Sequence, residues 1–235
     1  MIKTGLIATL IAAITMCATS FWAMNALPTT GEIPIHWNIE GEADGFASPE
    51  EARRFVWMLP GLTIFISLIL ALAAKIDPRR KNIERSSRAY LAVWIGTLIF
   101  MAFISSLVSY MMVRGSVDSN IMKGFMPSII VGSLSVFNII IGNYLPKTRS
   151  NWFFGIRTPW TLSSEITWAK THRITGRLFM AIGVAGLIST LFAPTIWQFI
   201  ILIGGSLTIT LFSLVYSYMV WRSAPDRVTT AKYVK

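Results

Sequence analysis

The sequence predicts an all-α polytopic membrane protein with six transmembrane helices, both termini in the cytoplasm, and a small ordered extracellular cap between helices 1 and 2. Of the 235 residues, 54% are hydrophobic and only 14% are charged, whereas soluble domains carry roughly 25% charged residues. The apolar residues form six blocks of about 20 residues, the length that crosses ~30 Å of hydrocarbon. These blocks lack the period-two alternation of a membrane β-barrel, so the spans are predicted to be helices.

The spans are predicted at residues 4–26, 55–76, 89–113, 125–145, 174–193 and 195–221. With the N-terminus inside, 17 of the 21 Lys and Arg residues lie in inner connectors and tails. The outer connectors carry four, which are Arg53, Arg54, Arg114 and Lys123. The positive-inside rule explains this bias. The net charge of +10 therefore indicates topology and attraction to anionic inner-leaflet lipid rather than nucleic-acid binding.

The first span is interpreted as an uncleaved helix, because Trp22 and Met24 stand where a signal peptide has small residues. The single Cys17 lies inside this span, so no disulfide within the chain and no Cys-based metal site is expected. Two regions are predicted. Residues 1–113 form an N-terminal membrane region with an extracellular cap at 27–54, and residues 114–235 form a second membrane region with a cytoplasmic motif at 146–177.

The acidic outer connector is predicted to fold into an ordered cap. Ile33, Ile35 and Trp37 alternate with other residues, as in a short strand, and turn-forming residues follow at 38–41 and 44–45. The segment 48–51, Ser-Pro-Glu-Glu, has the pattern of a helix start with a capping box. The candidate cap residues are Pro34, His36, Trp37, Asn38, Gly41, Asp44 and Gly45. One His without ligand spacing does not predict a metal site.

The spans and the inner connector 75–88 contain fewer residues that indicate a function than the outer cap does. The basic residues of this connector are interpreted as a topology anchor at the headgroups. No ionisable residue lies well inside a span, which is unlike ion-coupled transporters. Asn138 is the strongest intramembrane polar group and is expected to bond between helices. Pro60 is expected to kink its helix where a neighbour satisfies the freed carbonyl.

The connector between spans four and five, residues 151–176, holds the greatest chemical variety. Gly155 permits a backbone conformation or a close approach that a side chain would block. A helix is predicted from about residue 164, with Glu165, Trp168 and His172 on one face. This helix runs through Arg173, with continuation into span five as an open alternative, and its amphipathic pattern fits a position on the inner membrane surface with Trp168 at headgroup depth. The candidate functional residues are Asn151, Gly155, Arg157, Thr158, Pro159, Trp160, Glu165, Trp168, His172 and Arg173.

Catalysis is not predicted for this motif. Glu165 and His172 could form an acid–base pair, but no third group completes a triad and no serine lies on a strand-to-helix elbow. Arg157 and Arg173 could bind Glu165, helix carboxyl ends or lipid phosphate. The prediction is a protein without enzymatic activity, cofactor or metal.

The inner motif, with Phe154-Gly-Ile-Arg-Thr-Pro-Trp-Thr-Leu162 followed by Glu165, Trp168, His172, Arg173 and Gly176, resembles the signature of the SdpI immunity-protein family. The outer segment 33–45 resembles the small N-terminal domain of unknown function that often accompanies it. The resemblance implies a bacterial plasma-membrane protein that protects against a secreted killing peptide. It also implies a possible signalling receptor that holds a transcriptional repressor at the membrane.

The leading hypothesis is therefore an immunity or resistance protein. In this hypothesis the cap and outer helix ends recognise a secreted peptide, and the inner motif couples that event to a cytoplasmic repressor or locks the bundle. Membrane lipid is the other expected partner, and direct nucleic-acid binding is not expected. The alternatives are a transporter of small molecules or lipids, and a protein of other role in which the motif is a structural brace.

Overall fold

The computed structural model describes residues 1–118 and 124–228, in which ten α-helices and a two-stranded hairpin are found. The elements are α1 Ile2–Ala26, β1 Ile33–Trp37, β2 Ala43–Ala47, α2 Pro49–Phe55, α3 Met58–Ile76, α4 Arg80–Arg85, α5 Ser87–Gly115, α6 Met126–Tyr144, α7 Pro159–Leu162, α8 Glu165–Phe192, α9 Thr195–Phe199 and α10 Gly205–Arg222. A 3₁₀ turn, Leu145–Lys147, follows α6, and a π-helical turn, Ile200–Gly204, joins α9 to α10. Lys123, Lys232 and Lys235 of the basic-residue count lie outside the described residues.

Among the described residues, six helical segments are long and apolar enough to cross a membrane. They are Ile2–Ala26, Pro49–Ile76, Ser87–Gly115, Met126–Lys147, Glu165–Phe192 and Thr195–Arg222. The predicted all-α, multi-pass membrane fold is confirmed. The helix predicted from residue 164 continues into span five, since residues 165–173 form the first turns of α8 itself, and the expected separate helix on the membrane surface is wrong. Nothing between its Ser164 cap and Phe192 interrupts the helix.

The helices pack in two groups that meet at one seam. Helices α1, α3 and α5 pack on one another, as do α6, α8 and α10, and α5 packs against α6. Trp94 of α5 is buried and donates its indole N–H to Ser67 Oγ of α3 at 2.9 Å. It is therefore a core residue rather than part of an interfacial aromatic belt. The predicted domain division after residue 113 stays a prediction.

Helices α6 and α8 approach most closely through glycines. A Cβ on Gly142 would lie 2.6 Å from Gly176 O, and a Cβ on Gly176 would lie 2.5 Å from Gly142 O. Gly183 lies about two turns further along α8, and a Cβ there would lie 2.7 Å from Ser135 O. The two backbones can pack at this distance only because these positions lack side chains, as is common between membrane helices.

Proline and polar groups inside the spans are satisfied by neighbouring helices. Pro60 removes the N–H that would bond Val56 O, and Ser20 Oγ of α1 donates to that carbonyl at 2.7 Å. The expected hydrogen bond from a neighbouring helix to the freed carbonyl is therefore present. Asn138 Nδ2 of α6 donates to Ser206 Oγ of α10 at 3.1 Å, which confirms the expected interhelical bond.

The outer connector is an ordered hairpin seated on the helix ends. Strands β1 and β2 pair antiparallel, and Ile33 is fully buried against α1, α2 and α5. The predicted capping box is present, since Ser48 Oγ accepts from Glu51 N and the Glu51 carboxylate accepts from Ser48 N. Arg53 donates to the carbonyls of Met24, Leu27 and Pro28 at the end of α1. A cation at the carboxyl end of a helix is favourable.

Candidate functional site

The inner motif begins with an irregular segment that Asn151 organises. Asn151 is 2% exposed, and its Oδ1 accepts from the backbone N–H groups of Phe153 and Phe154 at 3.0 and 2.7 Å. Its Nδ2 donates to the carbonyls of Arg149 and Phe154. One side-chain amide therefore replaces the backbone hydrogen bonds that this loop cannot make with itself.

Gly155 brings the loop backbone onto the side chain of His172. Its φ is +107°, a conformation that favours glycine, and a Cβ there would overlap His172 Nε2. This approach lets Ile156 N–H donate to His172 Nε2 at 2.9 Å. Since Nε2 accepts a hydrogen bond, the ring proton lies on Nδ1, which donates to Trp168 O at 2.8 Å.

Trp168 supports the hydrogen bond between Ile156 and His172 by packing against the imidazole ring. Its ring stacks on the His172 ring with centroids 3.9 Å apart, and its indole N–H donates to Thr148 O at 3.0 Å. Both side chains are buried, at 1% and 0% exposed. Gly155, Ile156, Trp168 and His172 thus form one packed unit between the loop and the first turns of α8, which we call the His172 cluster.

The end of the loop is fixed by a short capped helix. Thr158 and Thr161 exchange hydrogen bonds between side chain and backbone around Pro159 at the start of α7. Thr158 Oγ1 also lies 3.2 Å from Ser217 Oγ of α10. Trp160 packs on Tyr218 of α10, with ring centroids 5.2 Å apart. The motif therefore contacts both α8 and α10.

A connector from the first half of the chain holds this loop in place. The buried Asp77 accepts from Arg79 N at 2.6 Å and from Trp152 N at 2.8 Å. Arg79 donates to Ser150 Oγ and, at 2.8 Å, to Leu162 O. Asn82 donates to Ser150 O, and Ser86 accepts from Arg149 N. We call these four residues, Asp77, Arg79, Asn82 and Ser86, the connector clamp.

The outer hairpin exposes a second set of candidate residues. His36 Nδ1 lies 2.6 Å from Asp44 Oδ1, and Asn38 Oδ1 accepts from Glu40 N and Glu42 N to form the turn. Gly41 has a φ of +82°. Gly45 lies against His36, where a Cβ would come within 2.8 Å of His36 Cβ.

The hairpin candidates Pro34 and Trp37 face the protein. Pro34 Cγ would lie 3.0 Å from a Cβ on Gly115, and Trp37 is close to the same position at the end of α5. Exposed around the hairpin are the acidic residues Glu32, Glu40, Glu42 and Asp44 and the ring of Phe46, which is 50% exposed. The hairpin thus offers an acidic surface with one aromatic side chain.

Residues 147–217, which contain most of the inner motif, match the SdpI/YfhL protein family. This part of the chain, called the SdpI region below, is similar to that family. Residues 10–64, including the hairpin, match a domain of unknown function, DUF1648. The chain is also similar to the immunity protein SdpI of Bacillus subtilis (strain 168), with 26% identity over 189 residues that cover 79% of this chain and 80% of the relative. No solved structure gives a significant match.

Within this SdpI region the structure separates the predicted residues into two sets. Asn151, Thr158, Trp168 and His172 are buried and bonded, as described above. The exposed set is Arg157, Pro159, Glu165 and Arg173. Arg157 donates to Trp152 O at 2.6 Å, so it helps to close the loop while its side chain remains accessible.

Trp168 does not lie on the membrane surface, because α8 turns this face into the bundle, where the side chain is buried; its expected depth at the headgroups stays a prediction. Glu165 is exposed, and both nitrogens of His172 are bonded to the backbone. The two side chains therefore form no acid–base pair. Within residues 1–118 and 124–228, no group of three or more His, Cys, Asp or Glu residues is placed to hold a metal ion.

Sequence reasoning missed two groups that contact the SdpI region from outside it. The connector clamp was interpreted only as a basic topology anchor, although an acidic residue, Asp77, directly before Pro78 at the end of a span is a sequence signal for a structural carboxylate. The second is Asp226, which follows α10 and accepts from Ser164 Oγ at 2.6 Å and from Ile166 N at 3.1 Å. Asp226 thereby places a negative charge at the N-terminus of α8.

The hydrogen bonds at Asp226 alter its acidity. Burial raises the pKa of this carboxyl, but the hydrogen bonds from Ser164 Oγ and from the Ile166 and Glu165 backbone outweigh it and hold the pKa below 3.8. A lowered pKa means that the contact stabilises the fold above the ordinary pKa of Asp and is lost as the pH falls through the lowered value. Asp226 therefore remains ionised near neutral pH.

We expect Asp77→Ala to loosen the inner motif from the first half of the chain. The change leaves Trp152 N and Arg79 N without their acceptor, which costs at most about 1–3 kcal/mol for each donor, because both lie in a part-buried region where water can replace some of the lost bonding. Faster proteolysis between residues 149 and 158 in inside-out vesicles would show this. Glu84→Ala on the neighbouring exposed turn is the control, and equal proteolysis of the two variants would contradict the assignment of the clamp.

Proposed function

We propose that this protein is a membrane immunity protein that protects its cell against a secreted killing peptide. The similarity to the immunity protein SdpI, which extends over 79% of this chain, carries the proposal. The matched residues include both the hairpin region and the inner motif, so the similarity is not confined to generic apolar helices. The proposed activity is binding rather than catalysis, which is supported by the engaged nitrogens of His172.

The outer hairpin is the proposed first contact for the peptide. The positive-inside orientation directs it away from the cytoplasm. Its exposed carboxylates favour a peptide with basic residues, because complementary charge accelerates encounter and selects partners. The buried Ile33 and the Arg53 bonds hold the hairpin on the helix ends, so its surface is presented without a large ordering cost.

The inner motif has two proposed roles that follow its two sets of residues. The buried residues of the His172 cluster hold the loop on the inner end of α8, and Thr158 and Trp160 hold it on α10. The exposed Arg157 and Arg173 provide donors for a cytoplasmic partner, and a repressor protein held at the membrane is the partner that we propose. Arginine is suited to this because its planar group donates several hydrogen bonds in fixed directions.

Survival of sensitive cells tests the proposed function. Cells that express the full chain should grow at peptide concentrations that stop cells carrying an empty vector. The triple change Glu32→Gln, Glu40→Gln and Glu42→Gln should lower the highest peptide concentration at which the cells still grow by about 2–10-fold, since each amide keeps the shape of the side chain but removes its charge. Glu84→Gln makes the same chemical change on the inner side and should not alter survival.

The outcomes separate the parts of the proposal. Absence of protection by the wild-type chain at normal membrane levels would remove the immunity function. Full protection by the triple variant would remove the hairpin as the first contact. Arg157→Ala should leave protection intact but abolish membrane recruitment of a co-expressed fluorescent repressor, and recruitment unchanged by this variant would remove Arg157 from the partner surface.

A further inference from the structure

A cleft with a volume of about 500 Å³ lies at the outer ends of α6, α8 and α9. Its polar lining includes Ser128, Thr190, Thr195 and Gln198, and its apolar lining includes Phe125 and Leu191. None of the described residues that line it is charged. Ligand sites in proteins have this size and this mixture of apolar walls with a few polar groups.

Gln198 leaves one acceptor of this cleft unused. The side chain is 3% exposed, and its Nε2 donates to Ala193 O at 2.9 Å, just past the end of α8. This bond fixes the orientation of the amide. Its Oε1 is buried and accepts no hydrogen bond from the described part of the chain. A buried acceptor without a donor is unfavourable, so a ligand donor that reaches Oε1 when the neighbouring side chains of the cleft lining move aside would be strongly preferred there.

The helix that carries Gln198 becomes irregular just after it. The π-helical turn Ile200–Gly204 begins two residues after it. Such turns are uncommon in helices and are frequent at functional sites, because the extra residue changes the direction in which neighbouring side chains point. The unused acceptor and the π turn are independent observations at one place.

One edge of the cleft contacts the acidic hairpin. Gly124, on the rim of the cleft, donates its backbone N–H to Glu40 O in the hairpin turn at 3.2 Å. A ligand attracted by the carboxylates of the hairpin therefore meets the mouth of the cleft next. The lining requires the inserted part of this ligand to be uncharged, largely apolar and able to donate a hydrogen bond.

We propose that the cleft binds an uncharged segment of the extracellular killing peptide, with a backbone N–H of that segment donating to Gln198 Oε1. An extended peptide combines apolar side chains with regularly spaced N–H donors, and its basic residues remain outside against the hairpin. This inference rests on the proposed immunity function and specifies the second half of the binding site.

Binding of the killing peptide to the purified full-length chain in lipid nanodiscs tests the inference. Gln198→Met keeps the length of the side chain and removes the acceptor, so the Kd should rise about tenfold. Thr190→Trp fills the cleft and should abolish binding. Ile196→Trp, on the same outer turn but outside the cleft lining and already exposed, should leave the Kd unchanged.

Each variant is its own folding control, because the rise in melting temperature on adding peptide is measured against the same variant without peptide. A second experiment uses a Cys17→Ser background with cysteine at position 190 or 196. The peptide should slow labelling of the Thr190→Cys variant by a membrane-impermeant maleimide and should not slow labelling of Ile196→Cys.

The failures can be distinguished. Protection and tight binding by the wild type, with equal binding by Thr190→Trp, would overturn the cleft and leave the immunity function standing. Shielding of Thr190→Cys in membranes without peptide would assign the cleft to lipid and overturn the inference. A wild-type chain that neither binds nor protects would overturn the proposed function and this inference together.

Discussion

Gly176→Ala should strongly reduce the amount of folded protein in the membrane. The new methyl group would lie 2.5 Å from Gly142 O and 2.7 Å from Pro146 Cδ, and neither a backbone carbonyl nor a proline ring can rotate away. Helices α6 and α8 would have to separate along their whole contact, which costs about 1–3 kcal/mol or more by the usual scale of overpacking. The melting temperature of the detergent-purified protein measures the effect.

The chain offers a graded series of controls for this change. Gly132 lies in α6, the helix that Gly176 packs against, but a Cβ on Gly132 meets nothing within 4 Å. Gly132→Ala should therefore be neutral or slightly stabilising. Gly96 is intermediate, with Ile140 Cγ2 at 3.2 Å, and Gly96→Ala should have a small effect. Equal melting temperatures for the Gly176→Ala and Gly132→Ala variants would show that the close helix crossing is not required.

Gly155→Ala should disrupt the inner motif while leaving the six spans in place. Two costs combine, because alanine disfavours the positive φ by about 1–2 kcal/mol and its methyl group overlaps His172 Nε2. Relief of the overlap would break the Ile156 N–H bond to His172. We expect increased proteolysis of the loop in inside-out vesicles and loss of partner recruitment, with normal insertion of the helices.

Two comparisons separate these costs. Gly31 also has a positive φ, +87°, but open space around it, so Gly31→Ala reports the backbone cost alone. In a His172→Ala background the overlap with the ring is gone, and Gly155→Ala should then cost less than it does in the wild type. Strictly additive effects of the two changes would show that Gly155 and His172 are not coupled.

Local chemistry was sufficient to predict several features of this protein. The six spans follow from apolar length, and the capping box at Ser48 and the special backbone at Gly155 follow from short-range rules. A hydrogen bond from a neighbouring helix to the carbonyl freed by Pro60 was expected, although Ser20 was not named as its donor. These features depend on residues close to one another in sequence or on the bilayer itself.

The features that could not be predicted depend on contacts across the chain. The burial of Trp168 and His172 requires the loop at 149–158 to lie over them, and that loop is positioned by Asp77 and Arg79, about 70 residues earlier. The positive-inside rule already accounted for Arg79, so its second role gave no separate signal. Asp226 similarly contacts a helix that begins 61 residues before it.

The unbroken α8 has a mechanical consequence. A helix of 28 residues is about 42 Å long, and its two ends carry Thr190 at the outer cleft and the His172 cluster at the inner face. Gly176 and Gly183 hold its middle against α6 at two places, so α8 cannot pivot about a single crossing. The outer cleft and the His172 cluster therefore lie at opposite ends of one continuous helix, and a shift of that helix along or about its axis would be felt at both ends.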